Sequence, residues 1–119
     1  MGIMKLAVDV KGTLEGSKKQ QVLKIIDILS KVGYEVTVWS NLYSYAVDAV
    51  RDNNLKASVS SKMTKGDLDF DESKFFNVAI EDDRSQSYLP AKKFIWVDEI
   101  PNDINAVELF VKEEILGDQ

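Results

Sequence analysis

Apolar and polar positions along this chain switch between two periods. Met4 to Val10 (MKLAVDV) is a short apolar run of strand length, interrupted by Asp9. From Ser17 the spacing changes: Val22, Ile25, Ile26, Leu29 and Val32 recur at the three-four interval of one helix face, and Gly33 stands where a C-terminal cap belongs. Tyr34 to Trp39 (YEVTVW) is β-branched and aromatic and predicts a second strand. Ser40-Asn41 can cap a following helix whose buried side would carry Leu42, Ala46, Ala49 and Val50. Asn53-Asn54 closes that helix. Leu55 to Ser60 reads as a weaker third strand, and the polar, acidic stretch 61–73 as loop. Asn77 to Glu81 (NVAIE) and Lys93 to Val97 (KFIWV) predict a fourth and a fifth strand. Pro101-Asn102 then introduces a last helix with Ile104, Val107, Phe110, Val111 and Ile115 facing inward.

Strands that alternate with helices at this spacing predict an α/β fold: a three-layer, doubly wound, mostly parallel five-stranded sheet of Rossmann-like kind, with helices on both faces. At 119 residues the chain reads as a single domain, 1–119. In such sheets the functional crevice lies beyond the carboxyl ends of the strands, so the residues just after each strand are the ones to inspect.

Composition narrows the chemistry. With no cysteine and no histidine, disulfides, thiolate nucleophiles, imidazole bases and most transition-metal sites are excluded. Carboxylates, lysines, hydroxyls and a hard cation remain. A formal charge of -5, from 15 basic and 20 acidic residues, argues against bulk coating of nucleic acid. No apolar run approaches the ~20 residues of a membrane span. The start, Met1 to Leu6, lacks a secretory pattern. A cytoplasmic protein without a membrane partner is the expectation.

The strand ends are chemically coherent. The first delivers Asp9 and then Val10-Lys11-Gly12-Thr13-Leu14; the second delivers Ser40-Asn41. Lys62 and Lys65 follow the third, Glu81-Asp82-Asp83-Arg84 the fourth, and Asp98-Glu99 the fifth. Carboxylates from different strands form a hard-oxygen nest suited to Mg2+ with a substrate phosphate. A lysine, a hydroxyl and the amides of a glycine-containing turn can hold the phosphoryl oxygens. An aspartate so placed can attack phosphorus.

These segments resemble the haloacid dehalogenase-like superfamily. VDVKGTL at 8–14 is similar to its first motif, VTVWSN at 36–41 to its second and IEDDR at 80–84 to its fourth, with Lys62 or Lys65 available as the lone lysine of the third. AIEDDRSQ also resembles, more faintly, the acidic pair in the phosphatase half of phage polynucleotide kinases. The resemblance implies a Mg2+-dependent phosphohydrolase acting on a phosphorylated small molecule or macromolecular end. Asp9 would be nucleophile and metal ligand, Asp82 the main second ligand and Asp83 a nearby ligand or lysine partner, and the backbone carbonyl of Lys11 would also face the metal. Ser40 and Asn41, with the Gly12-Thr13 turn, would bind the phosphoryl group, and Lys62 or Lys65 would steady its charge.

One position departs from the pattern. Where the family's phosphatases carry an aspartate two residues after the nucleophile, as general acid and base, this chain has Lys11. An ammonium among acidic groups can give a proton but is a poor base for the second, hydrolytic half of the reaction. That leaves a slow phosphohydrolase, or a catalytically weak relative that binds a phosphorylated ligand or a partner protein. The short stretches after strands one and three leave no room for the family's inserted caps, so a capless form is expected. A phosphate-binding-loop reading of 12–19 fails because the glycine spacing is one residue short and Lys19 stands where Ser or Thr would hold magnesium. The acidic run 67–72 lacks the glycine and glutamate of a calcium loop.

Overall fold

A computed structural model describes residues 2–117. Five strands are present among them, β1 (Lys5–Asp9), β2 (Glu35–Ser40), β3 (Ser58–Ser61), β4 (Phe76–Glu81) and β5 (Ala91–Trp96). Every pairing is parallel and the order is β3-β2-β1-β4-β5. α1 (Lys19–Lys31) follows β1, α2 (Tyr43–Asp52) follows β2, and α3 (Val107–Val111) follows β5 and continues into a wider π-helical turn, Lys112–Leu116. Short 3-10 turns make up most of the remaining connections.

The doubly wound parallel sheet is therefore as the alternation predicts, with an asymmetry between its faces. Leu6, Val8, Val36, Val38, Val78, Ile80 and Ile95 join the inward residues of all three α-helices in one large apolar cluster. The opposite face carries a smaller cluster in which Ala7, Trp39 and Ala79 meet Phe76, Leu89, Met63 and Phe94. Leu89 ends the 3-10 turn Arg84–Tyr88, and Met63 lies in the loop after β3. That face is covered by 3-10 turns and loops, because the links from β3 to β4 and from β4 to β5 are too polar to sustain an apolar helical stripe.

Several local expectations shift for identifiable reasons. α1 starts at Lys19 rather than Ser17, and it ends as expected: Gly33 takes φ +102, and the amide of Tyr34 bonds back to the carbonyl of Leu29. Val32 is exposed because it is the capping residue, outside the helical register. Leu42 is exposed for the same reason: it precedes α2 in an extended conformation, so its side chain leaves the buried face formed by Ala46 and Ala49. Ile104 lies in a 3-10 turn before α3 and is half open to solvent. The acidic loop spends its carboxylates on turns. Asp67 accepts the amide of Thr64, and Asp71 accepts the amide and hydroxyl of Ser73. None of the helices described is long and apolar enough to cross a membrane.

Candidate functional site: an acidic, lysine-braced cleft

The strand order reverses direction at β1. The chain leaves β1 toward β2 and β3 on one side, while β4 and β5 occupy the other. Loops after β1 and β4 thus part to opposite faces and open a crevice at the carboxyl edge. Register brings one row of residues across that edge: Ser60 lies beside Trp39, Trp39 beside Asp9, and Glu81 beside Trp96. Val8 pairs with Ile80, which puts Asp9 next to Glu81. Neighbours in parallel register point to the same face, so Trp39, Asp9 and Glu81 converge.

The convergence is bound together by Lys62, just beyond β3. Its ammonium lies 3.0 Å from Asp9 Oδ1 and 2.8 Å from Glu81 Oε1, and also donates to Gln86 Oε1 at 3.2 Å. The Lys62 and Asp9 side chains are 6% and 8% exposed and that of Glu81 is fully buried. Pairing at this depth is what makes the charges tolerable. The indole N–H of Trp39 donates to Glu81 Oε2 at 2.7 Å, and the Thr13 hydroxyl donates to Asp9 Oδ2 at 3.3 Å. No buried side-chain polar atom among the described residues lacks a partner.

Asp82 completes the group. One carboxylate oxygen from each of Asp9, Glu81 and Asp82 lies within 4.8 Å of the others. Gly12 makes this approach possible. Its φ is +76, and a Cβ built there would stand 2.0 Å from Asp82 Oδ2. The turn around it is tight, with the amides of Thr13 and Glu15 both bonded to the carbonyl of Val10.

The electrostatics follow from this crowding. Burial pushes the Glu81 carboxyl up to about 7, helped by the charge of Asp9 and resisted by Lys62 and Trp39. Burial also raises Asp9, with Lys62 opposing the rise and the adjacent Asp82 adding to it. Desolvation works against the charge on Lys62, but Glu81 and Asp9 together outweigh it and hold the ammonium above its ordinary range. Three carboxylates against one ammonium leave an excess of negative charge. That donor set, all oxygen and partly preorganised, could hold a metal ion and suits a hard divalent cation. Lys62 already stands between Asp9 and Glu81, so Asp9 and Asp82 are the carboxylates left for such an ion.

The cleft holds about 320 Å³ and is lined by Asp9, Lys11, Ser40, Lys62, Asp82 and Asp83, together with Asn41, Leu42, Tyr45 and Gln86. Of the positions singled out in the sequence, most meet here. Ser40 is buried at the end of β2, its hydroxyl accepting the amide of Leu42 at 3.2 Å. Gly12 and Thr13 form the floor turn beside Asp9. Asp83 lines the cleft, but its carboxylate accepts the amide of Ser85, which holds it below the usual range. Lys11 lines the cleft with its ammonium 5.0 Å from the ring centre of Tyr45. Lys65 stands apart. It precedes the 3-10 turn Gly66–Leu68 and is outside the lining, so of the two candidate lysines Lys62 is the one brought to Asp9. Lys18, the lysine of the failed phosphate-loop pattern, donates instead to the carbonyls of Val97 and Ile100.

Sequence reasoning placed Glu81 at the end of the fourth strand but gave it no role, and it passed over Trp39. The acidic pair after β4 drew attention to Asp82 and Asp83, yet Glu81 still belongs to the β4 alternation with Ala79 and faces the site. The signal was there: Asp9, Trp39 and Glu81 lie at the carboxyl ends of neighbouring strands and share one level of the sheet.

The fold and the cleft define a parallel α/β protein with a lysine-braced carboxylate group at the sheet's switch point. No family model, curated protein or solved structure matches the chain.

Proposed function

We propose that this protein is a Mg2+-dependent phosphohydrolase of haloacid dehalogenase-like type, without a cap, that works through Asp9. The observation that carries the reading is the meeting of Asp9, Asp82 and Lys62 in one cleft at the carboxyl edge of a parallel sheet. The order of the strand-end residues, which resembles the family's motifs, supports it.

In this reading Asp9 attacks the phosphorus of a phosphomonoester, the ester oxygen departs, and water then releases phosphate from the acyl-phosphate. Lys62 keeps Asp9 ionised and screens the incoming phosphoryl charge. Thr13 orients the second oxygen of Asp9, and the Ser40 hydroxyl and the Asn41 amide hold phosphoryl oxygens. Asp9 and Asp82, with the Lys11 carbonyl, would hold Mg2+, which supplies positive charge against the phosphoryl oxygens. Lys11 can protonate a departing alkoxide but accepts no proton from water, so the second half-reaction is slow and phospho-Asp9 accumulates.

Phosphate release from an aryl phosphate with and without Mg2+, beside Asp9→Asn, tests this. Release that needs both Mg2+ and Asp9, with a mass increment on Asp9 during turnover, is expected. No release and no trapped increment would leave the competing reading, a protein that binds phosphorylated ligands or a partner, favoured by the replacement of the acid/base by Lys11.

A further inference from the structure

The two cations that line the cleft are used differently. Lys62 is committed to Asp9, Glu81 and Gln86. Lys11 has no carboxylate partner among the described residues, although Asp9 and Asp82 belong to the same cleft. Its ammonium is held instead over the ring of Tyr45, on the α2 side. A cation–π contact of this exposed kind is worth only about 0.5–1 kcal/mol, enough to bias the side chain without consuming its charge.

The cleft's two walls differ accordingly. One is acidic, with Asp82 and Asp83. The other is formed by Lys11, Tyr45 and the exposed Leu42, and joins apolar surface to an unneutralised positive charge. At about 320 Å³ the cleft has room for a small organic body beside a phosphoryl group. A substrate whose phosphoryl group is held at Asp9 finds its apolar contact along this second wall, at Leu42 and Tyr45.

We propose that Lys11 is a specificity residue: it receives a second anionic group on the organic part of the ligand, so the preferred ligands are phosphomonoesters that carry a carboxylate or further acid on a short apolar or aromatic body. This rests on the phosphohydrolase reading for the placement of the phosphoryl group. The lysine two residues after Asp9 thus has a recognition role beside the proton it can give to a leaving group.

Calorimetric titration with benzylphosphonate and 4-carboxybenzylphosphonate, which no phosphatase cleaves, tests it at one Mg2+ concentration. The wild-type protein is expected to bind the carboxylated probe at least about tenfold more tightly. Lys11→Met should erase that preference, Lys11→Arg should keep most of it, and Lys11→Glu should shift it toward 4-(aminomethyl)benzylphosphonate. Equal affinity of the wild type for the first two probes overturns the proposal. So does an equal loss of both in Lys11→Met, which would place Lys11 on the phosphoryl group itself. Absence of binding by either probe overturns it together with the phosphoryl site. A Lys11-dependent preference in a protein that releases no phosphate from any aryl phosphate would leave the inference standing and refute the hydrolase.

Discussion

Single residues in this cleft answer for specific charges. Trp39 is fully buried, and its one polar atom donates to a fully buried carboxylate oxygen. Trp39→Phe keeps an aromatic ring but leaves Glu81 Oε2 without its donor, a change that costs about 1–3 kcal/mol. A lowered denaturation midpoint with an unchanged m-value is the expected result in urea unfolding. Gly12→Ala acts differently. The added methyl must displace Asp82 and strain a left-handed backbone, so the Mg2+ affinity of the proposed site should fall at least about tenfold by calorimetry, while far-ultraviolet circular dichroism stays as in the wild type.

At the scale of elements, α1 is attached to the sheet by Val22, Ile25, Ile26 and Leu29 and to α3 through the same cluster. Leu29→Ala opens a hole in that contact at the last turn of α1, and a loss of about 2–5 kcal/mol is expected from thermal or urea unfolding. The contacts of Lys18 with the carbonyls after β5 join the start of α1 to the far side of the sheet. The turn after β4 is built by its own charges: Asp83 caps it, and Arg84 forms a two-point ion pair with Asp98 while lying 5.5 Å from the ring centre of Trp96. These contacts occupy the turn's cation and leave Asp82 turned toward Asp9.

For the molecule as a whole, the raised carboxyls set a pH dependence of stability. Glu81 lies near 4.5 in the unfolded chain and about 7 in the folded one. The folded state therefore holds the proton more tightly, and the stability this contributes is present below pH 4.5 and is lost as pH rises through 7. Asp9, also raised, acts in the same direction. The metal-free protein should thus lose on the order of 3 kcal/mol between pH 4.5 and 8, a slope opposite to ordinary acid denaturation. Mg2+ in the proposed site should flatten the slope by relieving the repulsion among Asp9, Glu81 and Asp82. Urea midpoints across that range, with and without Mg2+, measure both effects. The carboxyls held low, Asp71, Asp83 and Asp98, contribute stability above their unfolded values that disappears only at more acid pH, below this window.

Much of this was legible along the chain. Alternation of period two with period 3.6, the glycine after α1 and the paired asparagines after α2 determined the elements and hence the parallel α/β class, because short-range sterics and one-sided burial act within a few residues. The same local logic put Asp9, Ser40, Lys62 and Asp82 at strand ends. What only the tertiary structure decided depends on sheet register and burial, which no local pattern contains. Register set Glu81 beside Asp9 and under the Trp39 indole, and chose Lys62 over Lys65. Packing against the polar β3–β4 and β4–β5 links left one face to 3-10 turns. Close approach of Asp82 to the bare Cα of Gly12 shaped the carboxylate group, and the ring of Tyr45, in the first turn of α2, holds the Lys11 ammonium.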